Sequence, residues 1–290
     1  MGKAYIKYFA ALLLFGANGI VASYINLTSH EIVFLRTLIG SLLLISIFAV
    51  SKGKFNFHTQ KHEALCLAIS GIAMGASWMF LYEAYQQIGV SIASLAYYCG
   101  PVIVMALSPL LFHEKLTGNI IAGFLAVLCG VFLVNGHISQ NGQNSWGLFC
   151  GGMSAIMYAF MVIFNKKAKS IAGLENSMLQ LLVSFLTVAV YVGVRQGFII
   201  RIPSSDWPAI LFLGLVNTGI GCYFYFSSIN LLPVQTVAIC GYLEPLSAVV
   251  LSGLILGEIM QSVQLAGAVL ILGGAMLGEY TKVRSKRADK

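Results

Sequence analysis

Long apolar runs recur along this chain almost without interruption, from "YFAALLLFGANGIVASYI" near its start to "LAGAVLILGGAMLG" near its end. A run of about 20 apolar residues matches the roughly 30 Å hydrocarbon core of a bilayer, so each such run is a candidate transmembrane span. Ten are legible, at approximately 4–25, 32–51, 64–86, 90–112, 118–135, 145–165, 177–195, 207–229, 234–257 and 262–280. The connections between them are short and polar, as at Lys52-Gly53-Lys54, from Gly136 to Asn144, and at Pro203-Ser204-Ser205-Asp206. With 58% hydrophobic and 9% charged residues, no soluble domain fits between the spans.

The runs are too long and too evenly apolar for barrel strands, which are about ten residues long and alternate polar with apolar. The expected fold class is therefore an all-α membrane protein. The first run would serve as a secretory signal in another chain, but with nine more behind it the reading is an uncleaved helix. Lipid anchoring is not expected either: Ile6 stands where myristoylation needs Ser or Thr, and the chain ends Arg287-Ala288-Asp289-Lys290 without a prenylation cysteine.

Positive residues in short loops stay cytoplasmic, which orients the spans. Lys3, Lys7, Lys52, Lys54, Lys61, Lys115, Lys166, Lys167, Lys169 and the tail from Lys282 to Lys290 fall on one side of a ten-span arrangement. Only Arg36, Arg195 and Arg201 fall toward the other, so both termini are expected in the cytoplasm and the protein in the inner membrane. The net charge of +7 is then a consequence of topology, with anionic lipid as a partner of the tail and no nucleic-acid surface implied. The six cysteines all lie in spans without CxxC spacing, so they read as packing residues, and neither a metal nor any other cofactor is expected.

The chain also repeats itself. Sliding it by 144 residues brings Val90 onto Val234, Tyr98 onto Tyr242, Pro101 onto Pro245, Ser108 onto Ser252 and Glu114 onto Glu258, with Gly75 on Gly219 one span earlier. Two halves follow, 1–140 and 141–290, each of five helices. An odd number of crossings makes the second half enter the membrane from the opposite side, so the repeats are inverted. Inverted repeats are how secondary transporters obtain two related states, each open to one side, around a site near the midplane.

The ten spans, the five-plus-five duplication and the segment "GYLEPLSAVVLSGLILGE" resemble the EamA type of the drug/metabolite transporter superfamily. Glu244-Pro245 and Gly257-Glu258 carry the likeness best; the first copy has Gly100-Pro101 and His113-Glu114 instead, and Arg36 near the start of the second span is also similar. The resemblance implies export of a small metabolite and leaves its identity open.

Pro101 and Pro245 each free the carbonyl four residues earlier, on Tyr97 and Gly241. They are expected to form paired kinks, either lining a cavity or simply packed. Glu244 lies near a span's midpoint, where a carboxylate must be paired, hydrated or protonated, so it is the leading substrate-binding or proton-coupling candidate. Glu83, flanked by Tyr82 and Tyr85, is either an interfacial anchor or a substrate contact. Arg36 is expected to pair with Glu31 or Glu83, or to meet a substrate carboxylate. Trp78, Tyr82, Tyr97, Tyr98, Tyr158, Tyr223, Tyr225 and Tyr242 form an aromatic set suited to a cation, with Tyr98 and Tyr242 singled out by their equivalent places in the repeat. Glu114 and Glu258 sit at helix ends, where a capping role is expected. Glycine pairs 71/75, 147/151, 253/257 and 274/278 have the spacing for close helix packing.

Enzyme signatures are missing: no HExxH, no GxSxG and no phosphate-binding Gly-Lys-Ser/Thr is written in the chain. The reading is a secondary transporter, an exporter of an amino acid, amine or related compound, with protons as a candidate coupling ion. Transport of organic anions, sugars or nucleosides is the alternative, and a receptor or scaffold without flux is the rival class. Oligomeric state is not legible.

Overall fold

The computed structural model describes residues 2–51, 60–100, 103–104, 107, 118, 121–123, 125–126, 129–130, 133, 145–168, 170–195, 197–229, 231, 241, 243–258 and 261–288. Among the described residues the chain is helical and holds no strand. The helices are α1 (Gly2–Gly16), α2 (Asn18–Ala22), α3 (Ser29–Val50), α4 (Lys61–Ile88), α5 (Val90–Tyr97), α6 (Ser145–Asn165), α7 (Gly173–Arg195), α8 (Trp207–Leu211), α9 (Gly221–Ile229), α10 (Leu243–Leu251) and α11 (Ser262–Ala288). A π-helical segment, Phe212–Ile220, joins α8 to α9, and a second, Ser252–Leu256, extends α10.

Six stretches among the described residues are long and apolar enough to cross a membrane: Gly2–Ala22, Ser29–Val50, Lys61–Ile88, Ser145–Asn165, Gly173–Arg195 and Ser204–Ser228. They fall on six of the ten expected spans, and the protein is a multi-pass membrane protein. Half of the expected span at 118–135 lies outside the described residues, as do the end of 90–112 and the start of 234–257.

Two features within the spans were not anticipated. The first span breaks at Ala17, whose N–H is shared between the Leu13 and Leu14 carbonyls at 3.2 Å, and the Leu14 carbonyl also accepts from Asn217 Nδ2 at 3.0 Å. The eighth relaxes into the π-helical turn that carries Asn217 and Thr218.

Contacts between distant segments gather the helix ends at two levels. At one, Glu63 accepts from the Ser170 N–H and hydroxyl at 2.6 and 3.0 Å, and Lys7 lies over the rings of Tyr223 and Phe224. This is the lysine-rich end. At the other, Glu83 accepts from Ser29 Oγ at 2.5 Å and Trp146 Nε1 at 3.3 Å, while Asp206 accepts the Asn26 N–H at 2.6 Å.

Helix contacts come in matching pairs. Helix α4 packs on α3, α6 and α7; the α8–α9 unit packs on α7, α1 and α3. Likewise α5 touches α6 where α10 touches α1, and α3 meets α7 as α5 meets α10. Small residues set these distances. A Cβ on Gly75 would lie 2.9 Å from the Ser184 carbonyl of α7, and one on Gly219 would lie 2.6 Å from Leu43 Cδ2 of α3. Ser77 of α4 and Ser154 of α6 each donate to the other's carbonyl at 2.8 Å, so close approach also satisfies both hydroxyls.

Of the glycine pairs, 71/75 faces α7, while Gly147 faces the end of α4 and Gly151 faces Ala96 of α5. Among the described residues, the pair 253/257 meets no neighbouring helix. Gly257, at φ +69°, ends the π-helical turn in a left-handed conformation.

Candidate functional site

A proline at position 245 takes away the donor that would serve the Gly241 carbonyl, and hydrocarbon offers no water in exchange. The missing donor arrives from the other half of the chain. Tyr98, at the end of α5, places its hydroxyl 2.8 Å from Gly241 O and 2.8 Å from Glu244 Oε2. One phenolic hydrogen therefore serves both the freed carbonyl and the carboxyl of the neighbouring residue turn.

Other tyrosines surround this point. Tyr97 meets Tyr98 and Tyr158 edge-on, with ring centroids 5.6 and 5.0 Å apart. Tyr225 of α9 leans on Tyr8 of α1 at 5.8 Å, and Tyr85 on Tyr82 at 5.2 Å. Tyr85, Tyr97, Tyr158, Tyr225 and Arg36 all lie within electrostatic reach of Glu244, which itself stays half-buried. The group draws on α3, α4, α5, α6, α9 and α10, so it sits where the two halves of the chain meet.

Arg36 gives the site its second charge. It is 1% exposed, with its guanidinium 4.4 Å from the Trp78 ring centroid and 5.0 Å from that of Tyr82. Its Nε donates to Thr218 Oγ1 at 2.8 Å and one terminal nitrogen donates to the Tyr82 hydroxyl. The π-helical turn is what brings Thr218 there. Among the described residues the other terminal nitrogen has no hydrogen-bond partner. A buried guanidinium with an idle donor is costly, and an anionic or carbonyl ligand is the chemistry that would complete it.

The expected pairing of Arg36 with Glu31 or Glu83 is corrected by this arrangement. Glu31 turns back on its own helix start, accepting from the Thr28 N–H at 2.9 Å and hydroxyl at 2.7 Å. Glu83 is engaged with Ser29, Trp146 and Gln87 at the end opposite the lysines, among interfacial side chains. Arg36 itself is buried within α3.

Of the residues read from the sequence, Glu244, Tyr98, Tyr97, Tyr158, Tyr225, Tyr82, Trp78 and Arg36 are brought together. Tyr223 is not; it lies beneath Lys7, whose Nζ is 4.8 Å from its ring centroid. Residues two apart on a helix point in nearly opposite directions, so only one of the pair can face inward. Tyr85 was passed over, although Trp78, Tyr82 and Tyr85 follow the spacing of a single helix stripe. Tyr242 and Pro101 lie outside the described residues, while Pro245 is buried in the first turn of α10.

A sequence model of the EamA-like transporter family matches twice, over residues 2–136 and again over 145–278. Similar proteins include YxxF of Bacillus subtilis, named an uncharacterized transporter, at 25% identity over 94% of this chain and 88% of its own length. YicL of Salmonella typhimurium, named an uncharacterized inner membrane transporter, is 24% identical over 99% of this chain and 98% of its own. ImpX of Fusobacterium nucleatum, named a riboflavin transporter, is 22% identical over 90% and 92% respectively. A solved crystal structure superposes with a TM-score of 0.69 at 17% identity, over 96% of this chain and 98% of that one, which speaks for the fold alone.

Proposed function

The chain belongs to the EamA-like transporter family, and from that premise we propose that it moves a small amine or amino acid across the inner membrane by alternating access. The observation that carries this reading is Glu244, held by Tyr98 across the two halves, with the idle nitrogen of Arg36 in the same interior. A carboxylate ringed by aromatic faces recognises an ammonium group, and the spare N–H of Arg36 suits a carboxylate.

The repeats, 1–140 and 141–290, act as inverted five-helix units with both termini cytoplasmic. The matched helix contacts and the doubled family match support this. Substrate enters between the halves and takes over hydrogen bonds that now run from Tyr98 to Glu244. The fourth and ninth spans, with the third and eighth, then rearrange to open the other side. Glu244 also serves as the proton-coupling group, and the direction is export.

The crowd of aromatic rings favours a second reading, a flat neutral molecule stacked among them; the relative named as a riboflavin transporter fits that chemistry. Thermal stability of the purified protein separates the two. A ligand that binds only the folded protein raises its melting temperature with occupancy. Amines or amino acids should stabilise the wild type and not Glu244→Gln. Stabilisation by flavins, equal in both proteins, would replace the first reading with the second.

A further inference from the structure

We infer that Glu258 is a releasable latch between the two halves, a positioning residue that sets which end of the transport path is open. The inference rests on alternating access. It begins at the start of α5, whose first N–H groups have no acceptor within their own helix. A helix usually solves this with a capping side chain on the residue just before it. Here that residue is Gly89, at φ +80°, which has no side chain to offer, and a Cβ there would lie 3.0 Å from Glu258 Oε1.

The cap comes instead from a residue 168 positions away. Glu258 Oε1 accepts the Val90 N–H at 2.8 Å, and Oε2 accepts the Ser91 N–H at 2.9 Å and the Ser91 hydroxyl at 2.7 Å. Ser252 Oγ lies 2.5 Å from that same hydroxyl. A carboxylate at a helix N-terminus also meets the positive end of the helix dipole. Its aim is set by the π-helical turn Ser252–Leu256 and the left-handed Gly257, which swing the chain out of α10 toward α5.

Helices α5 and α10 are thus fastened at two points. Tyr98 and Glu244 form one, at the candidate site; Ser91, Ser252 and Glu258 form the other, about two turns away at the end opposite the lysines. A substrate on Glu244 competes for the first fastening. The second then decides whether this end parts, and a cap borrowed from the other half is one that motion between the halves can undo. In the present structure it is engaged. Glu114, the counterpart in the first half, lies outside the described residues.

Ser94 supplies the test. It lies one turn from both Ser91 and Tyr98 and is buried. A Ser94→Cys protein in oriented vesicles is treated with a membrane-impermeant maleimide from either side, and the reaction of the unsubstituted protein is subtracted. With Glu258 intact, labelling from the lysine-rich side should be the faster.

Adding Glu258→Gln should move the ratio toward the opposite side by roughly tenfold, the scale of losing charge-assisted hydrogen bonds. Ser91→Ala should move it the same way by less, and decides the matter alone if Glu258→Gln does not fold. General loosening would raise labelling from both sides together. An unchanged ratio in a folded variant overturns the latch while leaving alternating access in place. Labelling of Ser94→Cys without sidedness, or from neither side, removes alternating access and the latch with it.

Discussion

Removing one oxygen atom tests the centre of the site. Tyr98→Phe keeps the ring but strips the hydrogen shared by Gly241 O and Glu244 Oε2, leaving two partly buried acceptors unserved. An abandoned buried acceptor costs about 1–3 kcal/mol, whereas side-chain hydrogen bonds measured inside membrane proteins average about 0.6 and reach about 1.7. For two acceptors the expected loss of stability is therefore about 2 kcal/mol. The proline makes the reasoning sharper. Pro245→Ala restores an N–H that the Gly241 carbonyl can accept within the helix, so that carbonyl no longer depends on Tyr98. Tyr98→Phe should then cost less in the Pro245→Ala background, by about 1 kcal/mol, the share belonging to Gly241. Unfolding of the wild type, both single variants and the double variant in mixed micelles measures the coupling. Additive costs, equal within about 0.4 kcal/mol, would refute the claim that Tyr98 serves the carbonyl freed by the proline.

Three further outcomes follow from the packing and the site. Gly71→Val should destabilise the protein by about 1–3 kcal/mol in the same unfolding assay, because its Cβ would meet Val183 Cβ at 2.7 Å and the Gln180 carbonyl at 2.9 Å on α7. Ser77→Ala and Ser154→Ala should each cost about 0.6 to 1.7 kcal/mol, and the double variant less than their sum, since each hydroxyl serves the other's carbonyl. Tyr225→Phe should weaken the shift in melting temperature produced by substrate, while Tyr223→Phe leaves it unchanged; equal effects would mean that the inward face of α9 is misassigned.

The fold was legible because a bilayer imposes a length, and the six stretches found to be long enough begin and end within a few residues of the runs read from sequence. Periodicity carried less information. Continuous apolar runs such as "LTVAVYVGV" in α7 have no polar face, so the lipid side and the protein side cannot be told apart by composition. The site was therefore read from exceptions. Glu244 and Arg36 stood out as charges in apolar runs, and Tyr98 through its echo at Tyr242. Tyr85 and Thr218 had no such mark, and Thr218 reaches Arg36 on a π-helical turn that no proline announces. Helix-end carboxylates were read correctly in kind for Glu258, but the helix it caps belongs to the other half of the chain. Only the third dimension supplies that partner.

Counterflow tests the central claim most directly. Proteoliposomes are loaded with a high concentration of the unlabelled amine or amino acid that best stabilises the protein, then diluted into a trace of the labelled compound without nucleotide. A carrier that exposes one site to each side in turn must exchange, so the wild type should accumulate label transiently above its external concentration, and folded Glu244→Gln should not. Label that only equilibrates, or an equal overshoot in Glu244→Gln, would contradict the account.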